Sequence, residues 1–173
     1  MKERILIPMD GTNVGEAILP KLESLVLKHI TPADAEIFLL RVNPIVNFNT
    51  LTQDKRAQLP YTPEDQKAMD DEAKAYLKGV GDKLKAKGYN VTMMVKTGPV
   101  AEEIVKAANE AKVNLIAMST HGRKGFLRWA IGSVSETVIR LEGKIPVLAV
   151  HAGEKERTSV LPMGSLQSLI KNS

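Results

Sequence analysis

The chain has 173 residues, 43% of them hydrophobic and 25% charged, and 24 Lys and Arg against 20 Asp and Glu leave a formal net charge of +4. Those figures describe one ordinary globular domain with enough length for a substantial core. The complete lack of cysteine excludes disulfides, thiol catalysis and thiolate metal sites. Aromatic residues at 4% are too few for a base-stacking platform, and acidic residues are interspersed among the basic ones, so a nucleic-acid partner is not expected. The positive balance could still help attract a small anion. No apolar stretch approaches the roughly 20 residues that cross a bilayer. Met1-Lys2-Glu3-Arg4 leads straight into a strand-like run without a signal-peptide core, so the expected setting is cytoplasmic, with no membrane partner.

In chain order, Arg4 to Pro8 and Glu36 to Val42 are the first two predicted strands, followed by Asn90 to Val95, Asn114 to Met118 and Ile145 to Val150. Several are nearly continuous in Ile, Leu and Val, the pattern of parallel strands covered on both faces. Between them the helical period predicts a helix from Val14 to His29, in which Pro20 is a warning of a break. Further helices are predicted from Pro63 to Lys87, stopped by Gly88, from Pro99 to Ala111, and from Ser133 to Leu141, stopped by Gly143. Strict alternation of strand and helix argues for an open, doubly wound α/β sheet of five parallel strands with helices on both faces; the strand order taken for it is 3-2-1-4-5, which makes the first and fourth strands neighbours. Residues 44 to 62 make a connection longer than a turn needs, and residues 152 to 173 form a tail in which Leu166, Leu169 and Ile170 suggest a short docking helix.

In such sheets ligands sit at the carboxyl ends of strands where the winding reverses. Two loops meet that requirement. Pro8-Met9-Asp10-Gly11-Thr12 follows the first strand, and Ser119-Thr120-His121-Gly122, nine residues and then Gly132-Ser133 follow the fourth. Glycines let the main chain approach an anion, and the N–H groups of a helix start point at it. Asp10 could accept from an adenine amino group or a ribose hydroxyl, or it could simply form the turn and cap the next helix. Ser133-Val134-Ser135-Glu136 reads as a capping box, which is compatible with anion binding at the same helix start. Arg123, Lys124 and Arg128 either meet phosphate charge or form a solvated basic loop. Gly79-Val80-Gly81 imitates part of a dinucleotide fingerprint but falls late in a helical pattern, and no G-x-x-x-x-G-K-[S/T] loop occurs.

With these residues in place, the chain resembles the universal stress protein family over about residues 2 to 151. The resemblance rests on Ile5-Leu6-Ile7-Pro8-Met9-Asp10-Gly11, Leu39-Leu40-Arg41-Val42, Thr97-Gly98-Pro99-Val100-Ala101-Glu102-Glu103-Ile104, and the stretch from Ser119 through Glu136 to Ile145-Pro146-Val147-Leu148-Ala149-Val150. It implies a domain over residues 1–151 with a C-terminal extension at 152–173. In the family's ATP-binding branch the motif is G-x-x-G-x9-G-[S/T]. By that match Pro8, Asp10 and the Val42 backbone hold the adenosine moiety and Met118 lines the pocket. Ser119, Gly122, Arg123, Gly132, Ser133, Val134 and Ser135 fall on the phosphate segment. Ser119 stands where the family has the first glycine, and a backbone requiring φ > 0 there would be strained.

The resemblance therefore implies a protein that binds ATP, with Mg²⁺, and acts in stress or signalling as a nucleotide-dependent switch or partner-binding dimer. Homodimerisation is implied through the last strand (Ile145, Val147, Ala149), and an unidentified protein partner is expected. No general base, nucleophile pair or metal carboxylate cluster stands out, and His29, His121 and His151 suggest no metal cluster, so hydrolysis is expected to be slow at most. Two other readings stay open: a phosphate-transfer enzyme or ATPase on the same scaffold, and a nucleotide-free dimerisation or interaction module.

Overall fold

The computed structural model describes residues 2–44, 62–120 and 133–152. Five parallel strands, β1 (Glu3–Pro8), β2 (Ala35–Pro44), β3 (Asn90–Gly98), β4 (Leu115–Thr120) and β5 (Val147–His151), form one sheet in the order β3-β2-β1-β4-β5. The helices are α1 (Asn13–Glu16), α2 (Ile18–Leu25), α3 (Pro63–Ala86), α4 (Val100–Glu110) and α5 (Ser133–Glu142). The architecture is the one expected from the alternation of apolar runs and helical stripes, and the strand order is the expected 3-2-1-4-5.

The continuous apolar runs are explained by two cores, one on each face of the sheet. Ile5 and Ile7 of β1 join Ile37, Leu39 and Ala117, with Leu22 of α2 and Leu77, Val80 and Leu84 of α3, on one side. Leu6 joins Phe38, Leu40, Val42, Ile116 and Met118 on the other, under Ile104 and Ala107 of α4 and Val138 of α5. Successive residues of β1 therefore point into different cores, and Ile5, Leu6 and Ile7 are all fully buried. Gly79-Val80-Gly81 lies inside α3, where a β-carbon on Gly81 would stand 3.4 Å from Met93 Sδ, so that glycine serves close helix-to-sheet packing.

Several boundaries differ from the sequence expectation. The helix expected from Val14 to His29 is broken into α1, α2 and a 3₁₀ turn at Leu27–His29. Pro20 has no N–H to give Glu16, and its ring would press on that carbonyl, so α1 stops at Glu16 and a new helix begins with Pro20 in its first turn. β2 and β3 run further than their apolar stretches, because Val42, Asn43 and Pro44 pair with Lys96, Thr97 and Gly98 through main-chain bonds that need no apolar side chain. β5 begins at Val147 rather than Ile145, since Pro146 cannot donate to the ladder and contributes only its carbonyl, 3.0 Å from Ile116 N. Ile145 thus sits outside the strand and packs against the core under α4 and α5. Most of the 44–62 connection and of the 152–173 tail, with Leu166, Leu169 and Ile170, lies outside the described residues. Among those described, no helix is long and apolar enough to cross a membrane.

Candidate functional site

The winding of the chain reverses between β1 and β4. From β1 the sheet grows through β2 to β3 on one side and through β4 to β5 on the other, which opens a crevice at the carboxyl ends of β1 and β4. Met9 extends β1, its N–H reaching Leu40 O at 2.8 Å, and the chain then turns at Gly11, whose φ of +79° suits a residue without a β-carbon. Asp10 shapes that turn. Its Oδ1 accepts from Thr12 N at 2.9 Å and from Thr12 Oγ1 at 2.7 Å, and Thr12 in turn caps α1 by accepting from Gly15 N at 3.0 Å. The turn-forming role weighed for Asp10 is therefore present, with Thr12 as the cap.

The other wall is the end of β4. Met118 is buried on the same face as Val42, beneath α4 and α5. Ser119 pairs with Val150 inside the ladder, and its hydroxyl donates across the crevice to Val14 O at 2.5 Å and lies 3.2 Å from Gly15 O. Among the described residues other than glycine, only Lys112 has a positive φ. Ser119 is thus in extended backbone, and the strain expected of a serine at this place does not arise. Beyond Thr120, the turn carrying His121, Gly122, Arg123, Lys124, Arg128 and Gly132 lies outside the described residues. The chain resumes at Ser133, the first residue of α5, with Val134 exposed and Ser135 buried. Glu136 Oε1 accepts from Arg140 at 2.8 Å, one turn along the helix.

The strand ends carry polar residues that sequence reasoning did not single out. Asn43, 3% exposed and next to Val42, donates from Nδ2 to Asp70 Oδ1 at 2.8 Å. Gln66 Nε2 reaches the same oxygen at 3.2 Å and Thr97 Oγ1 at 3.1 Å, so α3 is tied to the ends of β2 and β3. The only sequence signal was one polar residue at the end of a long apolar run. On the opposite face from Val42, Arg41 donates to Met9 O at 3.4 Å, and Tyr76 OH donates to Glu16 Oε1 at 3.1 Å. Burial is the main cause pushing the Tyr76 phenol above its ordinary range; the Glu16 and Asp10 carboxylates add to it and Arg41 opposes it. Among the described residues no group of three His, Asp or Glu side chains could hold a metal ion.

The chain is thus a doubly wound α/β sheet whose reversal point is flanked by an Asp-Gly turn and a serine-bearing strand end. Comparison with known proteins makes the class specific: the profile of the Universal stress protein family matches residues 1–151, and the chain belongs to that family. It is 28% identical over 162 residues to Universal stress protein MJ0577 of Methanocaldococcus jannaschii, a match covering 87% of this chain and 95% of that protein. Universal stress protein MJ0531 of the same organism is 30% identical over 155 residues, covering 89% of this chain and 85% of its own. The solved structure of MJ0577 superposes with a TM-score of 0.70 over 88% of this chain and 98% of its own. An Arabidopsis thaliana family protein, solved with AMP bound, shares the fold at a TM-score of 0.61 with 17% identity, over 91% of this chain and 96% of that one.

Proposed function

We propose that the crevice between β1 and β4 binds an adenine nucleotide, ATP with Mg²⁺, and that the protein works as a nucleotide-dependent switch or partner-binding dimer in stress or signalling. The observation that carries this reading is the convergence, at the reversal point, of the Asp10 turn with the end of β4 that leads into the glycine-spaced segment. Asp10 offers a carboxylate acceptor to the adenosine moiety, the Val42 main chain lies at the end of β2, and Met118 supplies apolar lining on the same face. Past β4, Gly122, Gly132 and the start of α5 at Ser133 are assigned to the phosphates, where helix N–H groups favour negative charge. The AMP found in the similarly folded Arabidopsis protein supports an adenine nucleotide.

The same reading takes residues 1–151 as the nucleotide-binding unit and 152–173 as an extension. It places a homodimer contact at the free edge of β5, where Ala149 is exposed and Val147 and Val150 are partly so. A protein that sediments as a monomer at micromolar concentration would contradict the dimer. Ligand binding is tested by purifying the protein without added nucleotide, denaturing it and analysing the released small molecules by mass spectrometry, with a nucleotide-stripped sample as control. ATP, ADP or AMP at a substantial fraction of the protein concentration is the expected result. No released nucleotide, together with no uptake of added ATP by the stripped protein, would overturn the assignment.

A further inference from the structure

We infer that Ser119 is a positioning residue, a hydroxyl clamp that holds the two walls of the crevice at a fixed spacing. The argument begins with its place in the chain. Ser119 occupies a position where the family motif has glycine, yet its backbone is extended and paired with β5, so the serine is not there to relieve or impose strain. What the side chain adds is a donor. Its Oγ reaches the main-chain carbonyls of Val14, at 2.5 Å, and Gly15, at 3.2 Å, both in the first turn of a helix begun by the other wall.

That helix is only four residues long and stops at Pro20's missing bond, so little local structure holds it. It is organised instead from its two ends. Thr12 caps it, and Asp10 holds Thr12 through both its N–H and its hydroxyl. Ser119 grips the carbonyl side of the same turn from β4. A glycine at 119 cannot make that bond. Hydrogen bonds therefore tie Asp10 through Thr12 to the first turn of α1 at Gly15 N, and Ser119 holds the Val14 carbonyl of that same turn from β4. In this chain the Asp10 turn and the end of β4 are tied together before a ligand arrives, and less ordering of these two walls remains to be done on binding. The positioning role rests on the nucleotide reading above; the clamp does not.

Hydrogen exchange on nucleotide-free protein reads the clamp directly. In Ser119→Ala, amides of residues 12–17 should exchange about three- to tenfold faster, the change expected for one lost hydrogen bond that is felt locally. Ser119→Thr, which keeps the donor, should retain most of the protection. ATP affinity, measured by calorimetry on the same proteins, should fall by a similar factor in the alanine variant and recover in the threonine variant. Unchanged exchange in Ser119→Ala would overturn the clamp. Faster exchange with unchanged ATP affinity would overturn its positioning role. Faster exchange in a protein whose wild type binds no ATP would sink the nucleotide reading and the positioning role with it, while leaving the clamp in place.

Discussion

The carboxylate of Asp10 fills the space that a side chain on Gly15 would need: an ideal β-carbon at position 15 would stand 2.2 Å from Asp10 Oδ1 and 3.3 Å from its main-chain nitrogen. Gly15 lies in the first turn of α1, so the absence of its side chain lets the helix begin close against the residue that shapes the crevice. The same oxygen of Asp10 accepts both bonds from Thr12. Anything that moves it disturbs the turn and the cap together.

Gly15→Ala should therefore push Asp10 away from Thr12 and destabilise the fold by about 1–3 kcal/mol, as overpacking does elsewhere. Gly79 provides the contrast. It lies in α3 with nothing within 4 Å of its would-be β-carbon, so Gly79→Ala should stabilise by about 0.5–1 kcal/mol through helix propensity alone. Urea denaturation of the two variants checks both signs. A neutral or stabilising Gly15→Ala would contradict the close approach.

The buried amide of Asn43 depends on Asp70. Removing its acceptor with Asp70→Ala should cost about 1–3 kcal/mol, the penalty for a buried donor left without a partner. Asp70→Asn, which keeps a carbonyl oxygen, should cost less. The double variant Asn43→Ala with Asp70→Ala should be more stable than the sum of the single losses implies, because the unsatisfied group is gone. Additive losses in that cycle would show that the two side chains are not coupled.

Tyr76 gives a pH dependence with a definite sign. Its folded-state value lies above the 10.0 of an unperturbed phenol, first from burial and then from the Glu16 carboxylate it donates to. The neutral phenol is thus favoured by folding. Its contribution is fully present below about pH 10 and is lost as pH rises through the higher folded value. Tyr76→Phe should lose about 1 kcal/mol at neutral pH. The gap between wild type and variant should then narrow as the pH is raised beyond 10, followed by thermal melting. A gap that stays constant across that range would contradict the half-buried, carboxylate-linked phenol.

How much of this was legible beforehand follows from the range of each interaction. Ile5-Leu6-Ile7 and Phe38-Leu39-Leu40 announced strands covered on both sides because every residue in them enters one core or the other. The break before Pro20 was visible as a warning, since the missing N–H is a property of the residue itself. The partnership of Asn43 with Asp70 was not visible, because it depends on the register of α3 against β2 across 27 positions of sequence. Ser119 showed as a departure from a glycine motif, but its acceptor lies 105 residues away on Val14, and only the reversal of winding brings the two together. The role of Gly15 was hidden for the same kind of reason: it depends on where the Asp10 side chain folds back, not on its own backbone angles.

Calorimetric titration of nucleotide-free protein with ATP and Mg²⁺, beside Gly122→Val and Gly132→Val variants verified as folded by circular dichroism, tests the central claim most directly. The account predicts saturable binding near one ATP per chain for the wild type, lost or strongly weakened in both variants, because a bulky side chain at either glycine should block the close approach of main chain to phosphate. Folded wild type that takes up no ATP, or variants that bind as tightly as the wild type, would contradict a nucleotide site at the crevice between β1 and β4.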